Sequence, residues 1–365
     1  MPSQPLQPPA HLRELVQTRF AKALAVGDLH YYATQATLLR VGQVHFQLRF
    51  SPALARKSAG KSQPSSSSPP SHSSQSIRIV DPFAHPSPSL FLSDLGDAHY
   101  IVLNKFAVVS GHFILATRAF RPQNHVLEEA DLEATMACIK AFGPGQLKEA
   151  GHEHDGLFAF FNSGEHSGAS QPHRHLQFLP VDQMREGLGG SEESSWRVLA
   201  SQGPEAEKQL PFRVFSEEIR LDMAASEVHG VYLRLYRRAC RAVRLIREEK
   251  SKQNVNDEKN DSNAEVDGGV DGTGAGAGDD DVPEEGPALI SYNLGLTSTR
   301  MVLCPRLAEG GPVLDHDGHE VGRLSLNGTL LAGTALVKNA VEWDTLRGQP
   351  SVLVDVLRRI GIPKY

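Results

Sequence analysis

Residues 156 to 180, Gly-Leu-Phe-Ala-Phe-Phe-Asn-Ser-Gly-Glu-His-Ser-Gly-Ala-Ser-Gln-Pro-His-Arg-His-Leu-Gln-Phe-Leu-Pro, constrain the fold more than any other stretch. A dense apolar run from Gly156 to Asn162 reads as a buried strand. A loop of small and polar residues, Ser163 to Gln171, follows, and then an extended segment from His173 to Leu179. Side chains alternate faces along an extended segment, so His173, His175 and Gln177 share one face while Arg174, Leu176 and Phe178 share the other. Glycines in the loop let backbone N–H groups converge on an anion. The imidazoles beside it are suited to attacking phosphorus or to positioning the group that does. A His-x-His pair alone would equally fit a half-buried strand or an adventitious metal pair. The preceding loop, Gln171-Pro172 before the first His and Gln177 at the third same-face position favour a phosphate-handling site.

Gln177 narrows the chemistry. A third His at this place could protonate a leaving group, whereas Gln does not titrate near neutral pH. A site without that acid suits leaving groups that are already good ones, and an intermediate captured by phosphate rather than water. Nucleotidyl transfer is therefore expected over hydrolysis. A neutral imidazole attacking in line requires one free ring nitrogen, the other being held by an acceptor that fixes the tautomer.

Around this stretch the chain reads as an α+β meander with an antiparallel sheet. A helix is expected over 11–26, a strand pair over 36–50 with Val44, Phe46 and Leu48 on one face, and adjacent central strands at 99–106 and 112–118. Leu127–Lys140 is expected as a helix over that sheet, and Val231–Ile246 as a helix whose arginines form a solvated face. Two strands are expected within 288–306, a further strand region within 324–338, and a final helix from Pro350 to Ile360, stopped by Gly361. A Ser/Pro-rich tract at 62–76 and an acidic, Gly-rich stretch at 250–286 cannot bury enough apolar surface to offset their ordering entropy, so both are expected to be disordered insertions. They divide the chain into an N-terminal helix and strands (1–61), a core carrying the histidines (77–249) and a C-terminal segment completing the fold (287–365).

At 365 residues and 40% hydrophobic, the chain can bury a substantial core. The formal charge of −6 argues against general nucleic-acid binding. No apolar N-terminal h-region and no apolar run of about 18 residues is seen, so neither secretion nor membrane spanning is expected. Cys138, Cys240 and Cys304 are scattered, without C-x-x-C spacing, and are expected as core residues in a reducing compartment. His152, His154 and Asp155 lack a confirming ligand elsewhere, so no protein-held metal is expected.

His173-Arg174-His175-Leu176-Gln177 resembles the His-x-His-x-Gln signature of the transferase branch of the histidine-triad superfamily. Asn162-Ser163-Gly164 and Ser167-Gly168-Ala169-Ser170-Gln171 resemble the phosphate loop of the fungal diadenosine tetraphosphate (Ap4A) phosphorylases, also called ATP adenylyltransferases. Leu95-Gly-Asp97 and Leu103-Asn-Lys-Phe106 match that family's nucleotide-binding strand, and Tyr292-Asn293 through Met301 with Pro305-Arg306 match its C-terminal substrate strands. The resemblance implies a HIT-like antiparallel sheet with flanking helices. It also implies reversible conversion of Ap4A and phosphate to ADP and ATP, with adenylyl sulfate as a further candidate substrate. His175 would be the nucleophile carrying AMP, Gln177 would bond the α-phosphoryl group, and His173 would support the site. Substrate contacts would come from Asn104, Lys105, Asn162, Ser163, Gly168, Ala169, Ser170, Gln171, Asn293, Thr297, Met301 and Arg306, and from a Lys at 57 or 61. No cofactor is expected for the covalent step, although a divalent cation could ride on the substrate phosphates. The partners expected are nucleotides (Ap4A, ATP, ADP, phosphate), and the enzyme is expected to be a monomer in the cytoplasm, with the nucleus as a further location. A hexose-1-phosphate uridylyltransferase, a hydrolase of the same superfamily and a non-catalytic dinucleotide sensor are the alternatives left open.

Overall fold

The structure, a computed structural model, describes residues 6–53, 81–145, 156–189, 196–261 and 282–364. Lys57, Lys61, the Ser/Pro-rich tract at 62–76 and the His152, His154 and Asp155 group lie outside the described residues.

An eight-stranded antiparallel sheet carries the site. In spatial order its strands are Phe215–Glu218, Arg300–Arg306, Ser291–Leu296, Leu157–Ser163, His175–Pro180, Phe113–Thr117, His99–Leu103 and Phe91–Leu95. The histidine strand lies between the apolar strand that precedes the loop (Phe160 opposite Gln177) and Phe113–Thr117 (Ala116 opposite His175, Ile114 opposite Gln177). The central strands are buried on both faces, which their near-continuous apolar runs require.

Alternation sorts those runs into two cores. Leu157, Ala159, Phe161, Leu176 and Phe178 join a core with the helices Leu12–Ala25, Glu129–Phe142 and Ala225–Asp261. Phe158, Phe160 and Leu179 join a second core on the other face. There they meet a three-stranded sheet, with Val44–Phe50 between Gln35–Val41 and Thr334–Val337, and the helices Ala340–Gly348 and Pro350–Ile360. His175 and Gln177 share a face with Leu179, so they point toward this second layer. Cys138, Cys240 and Cys304 are free and buried.

Most expected elements are present, with three differences. The histidine strand begins at His175, and His173 is held by an isolated bridge to Pro122. The strand region at 324–338 is three pieces: the end of the strand Glu320–Ser325, a 3-10 turn Gly328–Ala332 and the strand Thr334–Val337. Asn327 caps that turn by accepting from the Thr329 N–H. The helix expected at 231–246 runs from Ala225 to Asp261, so residues 250–261 of the expected acidic insertion are helical. That extension carries Lys250, Lys252, Gln253, Glu258 and Lys259, which lose little on entering a helix, among Asn and Asp residues, and it contains no Gly or Pro. At the far end of the insertion the Gly286 carbonyl accepts from the Val126 N–H, which ties residue 286 to the core. Arg234 and Arg238 of the long helix are exposed and pair with Glu217, as a solvated face does. Among the described residues no helix is long and apolar enough to cross a membrane.

Candidate active site

His175 is fixed at backbone and ring. Its N–H donates to Oε1 of Gln123 at 2.8 Å, while Nε2 of Gln123 donates to the carbonyls of His175 (3.2 Å) and Asn162 (2.8 Å). Gln123 thereby ties the start of the histidine strand to the neighbouring strand where ladder bonds have ended. Nδ1 of His175 donates to the carbonyl oxygen of His173 at 2.8 Å, which sets the tautomer and leaves Nε2 unprotonated. Among the described residues Nε2 has no protein partner. The ring packs on Phe83, with centroids 4.9 Å apart. Burial pushes the imidazole down, the hydrogen bond to the His173 carbonyl opposes this, and the ring settles at about 4, so it is a neutral base near neutral pH.

His173 faces away from the cavity. Its Nδ1 meets Oδ2 of Asp81 at 2.7 Å and its Nε2 meets the Thr117 carbonyl at 2.7 Å, so both nitrogens are occupied. Burial would raise the Asp81 carboxyl, but bonds from His173 and from the Phe83 N–H outweigh it and hold the group below its usual range. His173 is thus a clasp that holds Asp81 and, two residues on, the Phe83 ring over His175. On the opposite face Arg174 reaches Asp131 and Glu128, each at 2.8 Å, and Asp131 also meets Nε2 of His99 at 2.8 Å. This network fastens the histidine strand to the helix Glu129–Phe142.

Two cavities meet beside Gln177. The first, of about 420 Å³, is bordered by His175, Gln177, Ser170, Gln171, Asn104 and Lys105, with apolar walls from Phe83, Pro86, Leu90, Val102 and Ile114. The second, of about 360 Å³, is bordered by Gln177, Asn104, His112, Gly168, Asn327, Arg49 and Lys338. Gln177, Asn104 and the exposed ring of Phe106 border both.

The expected loop is present, and its glycines serve its packing. Gly164 and Gly168 have φ of +85° and +75°. A Cβ on Gly168 would lie 2.8 Å from Cβ of Asn327, and one on Gly164 would lie 2.5 Å from Oγ of Ser291. These glycines let the loop dock on neighbouring segments. Ser170 and Gln171 then reach the first cavity, Gly168 reaches the second, and exposed Ala169 borders neither.

The other expected contact residues are brought together elsewhere. Asn162, Asn293 and Arg306 form a buried chain: Oδ1 of Asn162 accepts from Nδ2 of Asn293 (2.9 Å) and the Gly328 N–H (2.8 Å), and Arg306 donates to Oδ1 of Asn293. Arg306 also donates to the carbonyls of Ala308, Glu309 and Leu326. Burial lowers this guanidinium to about 10, and it remains cationic. Thr297 accepts from the N–H groups of Thr299 and Arg300 in the turn between two strands, and Met301 and Ser163 are wholly buried. Asn162, Ser163, Asn293, Thr297, Met301 and Arg306 border neither cavity, and Asn162, Asn293 and Arg306 instead satisfy buried loop backbone.

Sequence reasoning missed Asp81, Phe83, Gln123 and His112. Asp81 and Phe83 are joined to the site only by tertiary contact. His112 opens an apolar run and shares a face with Ile114 and Ala116, so pairing that run with the histidine strand would have exposed it.

A desolvated imidazole with one nitrogen tied back and the other turned to a cavity, beside an amide and a Ser/Gln loop, defines a nucleotidyltransferase. Two family models match in series: the Ap4A phosphorylase N-terminal domain over residues 2–189 and the ATP adenylyltransferase C-terminal domain over residues 208–363. The chain belongs to the Ap4A phosphorylase family. It is 24% identical over 370 residues to diadenosine 5',5'''-P1,P4-tetraphosphate phosphorylase 2 of Saccharomyces cerevisiae, covering 97% of this chain and 95% of that protein. It is 25% identical over 175 residues to protein APA1 of the same yeast, covering 47% and 50%. The crystal structure of yeast Ap4A phosphorylase Apa2 matches with a TM-score of 0.65 and 21% identity over 98% of this chain and 99% of that one. Structures of Apa2 in complex with Ap4A and with AMP match equally.

Proposed function

We propose that this enzyme converts Ap4A and phosphate reversibly to ADP and ATP through an AMP adduct on His175. The lone pair on Nε2 attacks the α-phosphorus, the bond from that phosphorus to the bridging oxygen breaks, and ATP leaves. Phosphate then attacks the same phosphorus, the P–N bond breaks, ADP is released and the neutral ring returns. The single observation that carries this reading is the His175 ring, whose Nδ1 donates to the His173 carbonyl while Nε2 is left for the cavity. That carbonyl also stabilises the ring cation that exists while AMP is attached.

The first cavity takes the AMP half: its apolar walls suit a purine, with Asn104 and Lys105 toward the ribose and phosphate. The second cavity, with Arg49 and Lys338, suits the departing polyphosphate half. Burial lowers Arg49 to about 10, which leaves it cationic at neutral pH. Gln177 at the junction donates to the α-phosphoryl oxygens, and Ser170 and Gln171 add loop donors where transition-state charge spreads. The covalent step needs no protein-held metal in this scheme, and a divalent cation would travel on the substrate phosphates. Adenylyl sulfate fits the same first step with sulfate as leaving group.

Intact-mass measurement after mixing with Ap4A tests the proposal. A gain of one AMP in the wild type, absent in His175→Ala and discharged by phosphate, is expected. No gain, or an equal gain in the variant, would overturn it. UDP-glucose in place of Ap4A tests the uridylyltransferase alternative and is expected to leave no adduct.

A further inference from the structure

A further cavity, of about 620 Å³, runs along the long helix Ala225–Asp261 and shares no bordering residue with the two beside Gln177. Arg237, Arg241, Arg244 and Glu248 follow one another at i+3 or i+4 spacing, which puts them on one side of the helix. Arg247 and Lys252 border the same cavity, whereas Arg234 and Arg238, which pair with Glu217, do not. The apolar lining comes from Cys240 and Val243 of the helix, both buried, and from Val282, Leu289 and Ile290 of the segment that leads into the strand Ser291–Leu296. That segment is fastened to the helix at two points. Glu284 pairs with Arg237, and the Leu289 N–H donates to Oη of Tyr236 at 2.7 Å. Arg244 is half-buried and Arg247 exposed, and among the described residues neither guanidinium has an ion pair or a hydrogen bond. The lining thus sets five cations against one carboxylate, Glu248. A half-buried guanidinium is expensive to leave without an acceptor, so the cavity is made for an anion.

We propose that this groove is a second nucleotide site, which takes a nucleoside polyphosphate with its phosphates along the arginines and its base on the apolar residues. Guanidinium forks match phosphate oxygens in pairs. Arg241, Arg244 and Arg247 extend over about 9 Å of helix axis at 1.5 Å per residue, the reach of a chain of phosphates rather than of a single one. The cavity lies within the range of about 300–1,000 Å³ that small-molecule sites occupy, and its apolar residues let a base leave water. An acidic peptide is the other anion that such a lining could hold. A nucleotide is favoured because one small ligand uses both the cations and the apolar wall. Nothing in the site depends on His175, so it stands apart from adenylyl transfer.

Equilibrium dialysis of the full chain with radiolabelled α,β-methylene ATP tests this. The CH2 that replaces the bridging oxygen prevents any adduct, so the readout is binding alone. Wild-type protein is expected to bind a molecule at the groove in addition to the one at the catalytic cavities. In the double variant Arg244→Gln/Arg247→Gln the groove site is expected to weaken by about 10²-fold, roughly tenfold for each charge-assisted bond lost. The other site, and the rate of AMP adduct formation from Ap4A, are expected to stay within about twofold of wild type. Inorganic tripolyphosphate is expected to bind the groove about tenfold more weakly than the nucleotide, because it leaves the apolar wall unused. An octaglutamate peptide at equal concentration is expected to leave the nucleotide in place. Absence of any nucleotide site sensitive to the double variant overturns the proposal. Tripolyphosphate binding as tightly as the nucleotide, or displacement by octaglutamate, overturns it too, since the groove would then be a face for polyanions in general. Failure of adduct formation in the wild type would remove the adenylyl-transfer reading and leave this result unchanged.

Discussion

Nδ1 of His175 donates to the carbonyl oxygen of His173, two residues back along the same chain, at 2.8 Å. The nucleophile is therefore oriented by its own strand. The ring cannot turn without breaking a bond that is buried on both sides, and a buried bond of this kind is costly to leave unmade.

This geometry makes the chemical step insensitive to mild acid. His175 is held at about 4, below the ordinary imidazole value of 6.5, chiefly by burial. A depressed value means that the free base is the populated form down to about pH 4. Single-turnover adduct formation is expected to be flat from pH 8 to about 5 and to fall below that. Phe83→Ala, which opens the ring to water, is expected to move the bend upward toward 6.5. A wild-type profile that already bends near 6.5 would show that the ring is hydrated.

Gln123 is expected to matter beyond its size. It satisfies the N–H and carbonyl of His175 and the carbonyl of Asn162 at once. Gln123→Leu keeps the volume but strips those buried groups of a partner, which costs about 1–3 kcal/mol for a group left unsatisfied. Urea unfolding should show a loss of that size, and the adduct rate should fall as the strand loosens.

How far the sequence reached follows from which contacts are local. Alternation along His173–Leu179 is local, and it put His175 and Gln177 on one face, as found. The same rule put His173 beside them, but the strand starts only at His175, and His173 turns to Asp81 and Thr117. Asn162, Asn293 and Arg306 are expected as substrate contacts from the family resemblance, which does not say what their side chains meet within the chain. In the fold they meet the carbonyls of Ala308 and Glu309 close by in the chain, and Leu326 and Gly328 of a segment whose approach no local pattern encodes. The helix end was misjudged for a related reason: acidic and basic residues mark solvation, and a solvated helix has the same composition as a solvated loop.

Arg174 supplies a prediction about the back of the site. It is 2% exposed and bonded to Asp131, Glu128 and the Val126 carbonyl. Burial would raise the Asp131 carboxyl, yet its bonds from His99 and Arg174 hold it below the usual range, so it stays charged. Arg174→Leu leaves that charge short of a partner and is expected to cost about 3–5 kcal/mol. Arg174→Lys should recover little, since one ammonium cannot reach three acceptors in the guanidinium's geometry. Thermal or urea unfolding of the two variants checks both statements.

Acid stability should separate the two buried imidazoles of the site from the rest of the chain. His112 and His175 sit at about 3 and about 4, against 6.5 when unfolded. Below pH 6.5 the unfolded chain takes up protons that the folded one refuses, so stability falls as pH falls, down to the folded values. Each such histidine contributes a slope of about 1.4 kcal/mol per pH unit within that window. His112→Gln removes one of the two. Between pH 6.5 and 5.0 the wild type is expected to lose about 1–2 kcal/mol more than the variant, with the effects of the carboxylates common to both and cancelling. Equal slopes in urea unfolding would mean that His112 is protonated in the fold.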